Sequence, residues 1–414
     1  MIEYLFISRI SSLVLAQNEY LQILSSTMTR LSSSTYFLLS FLLLLITLRS
    51  FGQTEKAEAE LQGIMKKLDV VGLSVAVVKD GNIIYTHSFG LKNIALNTPL
   101  TDKDIFRIAS ISKSFSATSI MQLAEAGKLS LNDDFSDLIG FKVRNPKYPE
   151  TVITLKMILS HTSSINDSEG YLSLDVINPA KNPNWEKCYS DYEPGKGYKY
   201  CNLNFNMTGT VIEKVSGERF DKYVKHHILD PLGLYGGYCV DDLDSTRFAT
   251  IYEYDSVAKQ FKPSPGAYAP RREEIKNYVM GYSTPIFSPT GGMKISATDL
   301  AKYMTMHMNQ GEYKGVRIIS KKSAKLMQTK ISEEEGYGLA ISNRTNLIPG
   351  KLMTGHIGEA YGLNSAMFFQ TKEKFGIVVI TNGCSPTETD GINDLLRAAT
   401  ISLYNNFIAS PKSH

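Results

Sequence analysis

Short apolar, β-rich runs set off by polar turn residues mark two stretches near opposite ends of the chain. Leu73-Ser74-Val75-Ala76-Val77-Val78 is followed by Asp80-Gly81 and then by Asn82-Ile83-Ile84-Tyr85. Two β-rich runs around Asp-Gly predict a hairpin. Ser365 to Gln370 and Phe375 to Thr381 form a second such pair across Thr371 to Lys374. Helix-compatible segments flank both pairs, Glu55 to Lys67 before the first and Gly391 to Tyr404 after the second. Strands at both ends with helices between them predict an α+β fold, an antiparallel β-sheet built from both ends of the chain with flanking helices.

The middle has another texture. From Leu129 to about Tyr282 it is rich in Asn, Asp, Pro, Gly and Tyr. Short helices are expected at Leu155 to Leu159, at Leu203 to Val215 before Ser216-Gly217, and at Arg219 to Ile228 before Pro231. A further helix, Thr298 to Met308, is opened by Ser296 or Thr298. The expected organisation is an α/β lobe formed by 53–130 and 285–414, with a mainly helical lobe inserted at 131–284.

Ahead of this lies a different pattern. Arg30 precedes the 13-residue apolar run Tyr36 to Leu48, and Ser50-Phe51-Gly52 offers small residues at cleavage spacing. The run is too short to span a bilayer comfortably and reads as a secretory signal within a leader over 1–52. Met28 would itself start a well-formed signal, so Met1 to Thr27 reads as an over-long start. The expectation is an exported protein, periplasmic or secreted, beginning near Gln53 and left without a membrane anchor after cleavage.

Composition narrows the partners. A net charge of +3 over 414 residues, without a dense Lys/Arg stripe, gives no footprint for nucleic acid. Cys188, Cys201, Cys239 and Cys384 are widely spaced, with no C-x-x-C pair and no His-rich tract. Neither a zinc site nor a disulfide framework is indicated, though one or two bridges stay open. No metal or organic cofactor is expected.

The stretch FRIASISKSFSA, Phe106 to Ala117, carries the candidate chemistry. Ser110 stands three residues before Lys113, at the mouth of the largely apolar run Ile111 to Ala126. A helix that is apolar nearly all round is buried, and a three-residue spacing puts both side chains on one face. A lysine forced into that interior loses part of its basicity and can exchange protons with the adjacent hydroxyl. By itself the pattern also fits an N-cap serine with a snorkelling lysine. Ser256-Val257-Ala258-Lys259 repeats the spacing in a polar stretch with nothing to desolvate it.

ASISKSFSA, HTSSI, YCN within YKYCNLNFNMTGTVIEKVSG, PTGGMKISATDLAKYM and GHIGEAYGLNS follow one another in order. From about Leu61 to about Leu403 the chain resembles the serine β-lactamase and penicillin-binding-protein superfamily. The likeness is to its class C β-lactamase-like branch of esterases, D-aminopeptidases and D-Ala-D-Ala carboxypeptidases. The resemblance implies Ser110 as the acylated nucleophile and Lys113 as its partner. It implies Tyr200, held as a phenolate near Lys113, as general base, and Asn202 as a donor to the substrate amide. His356-Ile357-Gly358 takes the place of the family's Lys/His-Thr/Ser-Gly strand. Gly358 would admit the substrate backbone and the N–H of Glu359 would be the second oxyanion donor, beside that of Ser110. His356 would supply a donor, or a charge when protonated.

One departure bears on specificity. Ile357 replaces the usual hydroxyl, and the lysine is missing too, so a substrate carboxylate would be left unpaired at a cost of about 1 kcal/mol or more. The reading is therefore a serine hydrolase forming an acyl-enzyme on ester, amide or peptide bonds of a small-molecule or peptide substrate, cell-wall fragments among them. The alternatives are a D-Ala-D-Ala carboxypeptidase or class C-type β-lactamase and, in another class, a non-catalytic sensor of cell-wall fragments. His161 reads as structural, His226-His227 as a solvated helix end, and Gly291-Gly292 as a tight turn beneath the pocket. Trp185, Tyr189, Tyr192 and Tyr198 read as cleft wall or core.

Overall fold

The computed structural model describes residues 52–332 and 335–409. Strand β1 (Gly72–Lys79) folds back on β2 (Asn82–Asn93), and β3 (Thr98–Pro99) pairs with β2. Asp80 and Gly81 both take positive φ, +50° and +80°, as a two-residue turn between right-twisted strands requires. From the far end of the chain come β4 (Ser342–Arg344), β5 (Met353–Ala360), β6 (Leu363–Gln370) and β7 (Phe375–Gly383). Together they form one seven-stranded antiparallel sheet in the order β4-β5-β6-β7-β1-β2-β3. The two ends meet where β1 pairs with β7, with Val75 opposite Val379.

The pleat of each strand sorts the sheet's side chains between two cores. Leu73, Val75 and Val77 of β1 and Ile377 and Val379 of β7 join one of them, and Ala76, Val78, Val378 and Ile380 join the other. Each such Val, Leu or Ile contributes about 1.5–3 kcal/mol by leaving water. Among the described residues, the helices that cover the sheet and fill the middle include α1 (Ser112–Glu125), α2 (Asn202–Ser216), α3 (Ala297–Met308) and α4 (Asp394–Leu403). Leu395, Leu396 and Leu403 of α4 belong to the first core, while Phe115 and Ile120 of α1 and Met304 of α3 belong to the second. Helix α3 is capped by Ser296, whose side chain accepts from the Asp299 N–H, and α2 ends at Gly217 with φ +76°.

Helix α1 is enclosed over most of its length, Ser112 through Leu123 apart from Gln122 being buried. Four of its buried serines are hydrogen-bonded inside. Ser114 donates to Ile111 O, Ser116 to Pro289 O and Ser119 to Phe115 O, while Ser112 Oγ accepts from the Met293 N–H. The α-helix starts at Ser112, two residues later than Ser110, and Ser110 lies in a 3₁₀ turn over Ala109–Ile111. Helix Arg219 to Ile228 also differs: the α-helix covers Phe220–Val224 and widens into a π-turn over Lys225–Leu229.

All four cysteines are buried and unbridged. Among the described residues no helix is long and apolar enough to cross a membrane. The leader expected over 1–52 lies, but for its last residue, outside the described residues.

Candidate active site

Ser110 is aimed by a strained link. Ala109, next to it in sequence, has φ +48°, a left-handed conformation that costs a side-chain-bearing residue about 1–2 kcal/mol. The strain is held by packing against β5. A Cβ at Gly358 would stand 2.2 Å from Ile108 O and 3.2 Å from Ala109 Cβ, so only glycine lets the strand come this close. Ser365, opposite Gly358 on β6, donates to Ile108 O at 3.0 Å. The strand thus locks the turn that carries the candidate nucleophile.

Lys113 has no solvent exposure. Its Nζ donates to Asn202 Oδ1 at 2.9 Å, to Thr290 O at 3.0 Å and to Ser110 Oγ at 3.0 Å. Burial pulls its pKa down to about 7 against the opposing charge of Asp167 and the influence of Cys201. An ammonium fills all three directions with protons. A neutral amine keeps two N–H groups for Asn202 and Thr290, and its lone pair then faces the Ser110 hydroxyl. That is the geometry of a general base.

Tyr200 departs from expectation. Desolvation raises its pKa well above the usual phenol range, opposed by a hydrogen bond with Ser110. Lys113 Nζ lies 4.7 Å from the ring centroid, over the face. Burial thus favours the neutral hydroxyl at Tyr200 and draws the pKa of Lys113 down towards neutral.

His356 is buried and its pKa falls to about 3, chiefly by desolvation and then by the charge of Lys113. Burial thus disfavours the charge, one of the two roles expected of it. Its Nδ1 lies 2.5 Å from Ile357 O, so the proton sits on Nδ1 and Nε2 accepts from Tyr337 OH at 3.0 Å. The Tyr200 and His356 rings are 6.3 Å apart. Ile357 and Glu359 line the cavity from β5.

That cavity, about 700 Å³, is bounded by Ser110, Tyr200, Asn202, Thr290, Gly291 and His356 among others. Tyr198 reaches it, and Trp185, Tyr189 and Tyr192 do not line it. Tyr171 and Leu172 form an apolar side, while Glu335, Arg107 and Arg344 add charge. Arg107 is committed to the wall, donating to Gly291 O, Ala267 O and Ser288 Oγ. Arg344, on edge strand β4, has a buried Nε without a hydrogen-bond partner among the described residues. The motif's hydroxyl and lysine are missing, but Arg107 and Arg344 put other cations in the cavity lining.

Sequence reasoning missed Asp167, Thr290, Tyr337 and Arg344 as site residues. Asp167 and Thr290 lie in or just after stretches already singled out, HTSSI and PTGGMK, so proximity to them was the available signal. His161, expected to be structural, accepts the Cys201 N–H on Nδ1 at 3.1 Å and lies 4.4 Å from the Tyr200 ring. Burial holds it neutral, its pKa well below the usual imidazole value. His226 and His227 both bond Glu218 on an exposed surface. Asp221, Cys239 and Asp242 bring three possible metal donors together, but the two carboxylates are paired with Arg219 and Lys222.

Comparison with known proteins gives this constellation relatives. The family model described as Beta-lactamase matches residues 57–401. "Protein flp" of Staphylococcus aureus (strain MRSA252) is 24% identical over 332 residues, 77% of this chain and 60% of its own length. The chain thus spans about 60% of the length of the flp proteins. "Penicillin-binding protein 4" of Amycolatopsis lactamdurans is 25% identical over 355 residues, 79% of this chain and 85% of its own. Among solved structures, the octameric penicillin-binding protein homologue from Pyrococcus abyssi superposes with a TM-score of 0.67 at 27% identity. That match covers 85% of this chain and 77% of the homologue.

Proposed function

The chain belongs to the Beta-lactamase family, and on that premise we propose that it is an exported serine hydrolase that cleaves ester, amide or peptide bonds through an acyl-enzyme. The observation that carries the reading is the fully buried Lys113 amine, 3.0 Å from Ser110 Oγ and tied to two other fixed acceptors. Neutral Lys113 takes the Ser110 proton as Oγ attacks the carbonyl carbon. The oxyanion rests on the N–H groups of Ser110 and Glu359. The Tyr200 hydroxyl, hydrogen-bonded with Ser110, relays a proton to the departing group and is resupplied from Lys113. Water then attacks the ester carbonyl by the same route, and Ser110 leaves with its proton restored. The test is labelling with a fluorophosphonate probe, with Ser110→Ala as control. A label that survives the alanine change removes Ser110 as nucleophile.

A second reading, a D-Ala-D-Ala carboxypeptidase or class C-type β-lactamase, is favoured by Arg344, a cationic side chain lining the cavity that would pair with a substrate carboxylate. Fluorescent penicillin, run beside the fluorophosphonate, separates the two. Penicillin capture that Arg344→Ala abolishes, while fluorophosphonate labelling persists, selects the carboxylate-bearing substrates.

A further inference from the structure

The motif Tyr200-Cys201-Asn202 leads directly into α2 and is gripped by one turn, residues 161–167. His161 O accepts from the Lys199 N–H at 2.9 Å, and His161 Nδ1 from the Cys201 N–H. Six residues on, Asp167 takes over the other half. Its Oδ2 accepts from the Asn202 N–H at 2.8 Å and from Asn202 Nδ2 at 3.0 Å. Its Oδ1 accepts from the Leu203 N–H at 2.9 Å and from the Cys201 thiol at 3.2 Å. The carboxylate thus closes the open N–H groups at the start of a 15-residue helix, where a negative charge is favoured.

We propose that Asp167 is a positioning residue for the acyl transfer, fixing the Asn202 amide with its oxygen towards Lys113 and setting one negative charge behind the Ser110–Lys113 pair. The inference rests on the serine-hydrolase mechanism above and adds a residue to it. An asparagine amide has two orientations of nearly the same shape. In the observed one, Oδ1 accepts from Lys113 Nζ and from Thr290 Oγ1, both at 2.9 Å, while Nδ2 donates to Asp167. Turned over, the amide would face donors with its NH₂ and a carboxylate with its oxygen. Asp167 forbids that state and so keeps one Lys113 direction occupied, leaving another for Ser110.

The charge acts on the same amine. Desolvation is the largest influence on Lys113 and lowers its pKa, and Asp167 is the largest one opposing it. Cys201, Tyr200, His161 and His356 also face this region, and burial favours the neutral form of each. Arg344 acts on Tyr200 and His356 from β4.

The test is kcat/KM against pH on an activated ester, for the wild type and Asp167→Asn, with circular dichroism and melting curves confirming the fold. The acidic limb set by Lys113 should move to lower pH by on the order of one unit as the opposing charge is lost. The plateau should fall by about tenfold or more as Asn202 loses its fixed orientation. A merely structural role would lower the plateau and leave the limb in place, and that outcome overturns the proposal. If the asparagine variant does not fold, Asp167→Glu decides: with the charge kept and displaced, the limb should hold while the plateau falls. A full wild-type plateau in Asp167→Glu overturns the positioning role. Ser110-dependent labelling of the wild type separates the two ideas. With that label present and the limb unmoved, Asp167 alone is wrong; with no such label, the hydrolase mechanism fails and this inference falls with it.

Discussion

Two stretches of this chain share the spacing Ser-x-x-Lys, and the fold treats them in opposite ways. Ser256 to Lys259 is the turn between two short strands, Tyr252–Asp255 and Gln260–Pro263, with Val257 94% exposed. Asp255 accepts there from the N–H groups of Val257 and Ala258, an ordinary turn bond. Ser110 to Lys113 begins an enclosed helix, and Lys113 has no exposure at all. The difference lies in what desolvates the lysine and what holds its remaining protons. Four residues at the same spacing become chemistry only where the surroundings lower one pKa and fix two hydrogen bonds.

The largest expected contrast is between Ser110→Ala and Ser256→Ala. The first should lower kcat/KM by on the order of a thousandfold or more and abolish the covalent label, and the second should leave both unchanged. An active Ser110→Ala enzyme would collapse the comparison. Removing the amine comes next: Lys113→Met should cost on the order of 10²–10⁴-fold in kcat, against no change for Lys259→Met, both read by steady-state kinetics. The pH profile sharpens the same point. Lys113 must be neutral to act as base, so activity is present above its pKa of about 7 and falls about tenfold per unit as the pH drops below it. A flat profile between pH 5 and 8 would contradict the assignment. A fourth test removes the support that only the first site has. Gly358→Ala pushes a Cβ into Ile108 O and should cost about 1–3 kcal/mol in chemical denaturation, with a loss of activity. Ile357→Thr should have the smallest effect, a gain in turnover of carboxylate-bearing substrates; no gain would mean that Arg344 already serves them.

How much of this was open to reading from the chain differs by residue. The sheet was legible because its strands are short β-rich apolar runs and Asp80-Gly81 marks the turn, so local pattern and final structure agree. Ser110 and Lys113 were legible because the residues after them predict burial. Asn202 entered through motif order alone, and the acid that orients its amide, Asp167, lies 35 residues away in sequence. Tyr337, the partner of His356, is likewise a tertiary neighbour, on a segment with no pattern of its own. The direction of the Tyr200 shift was misjudged for a related reason. A nearby lysine can be anticipated from spacing, but the loss of water around a phenol depends on the whole surrounding wall.

The four thiols give the molecule a freedom of another kind. Each is buried, and none is joined to another. No bond between two of them has to form as the chain folds. The body that carries Ser110 is held together by its packed cores and hydrogen bonds, with no staple between thiols.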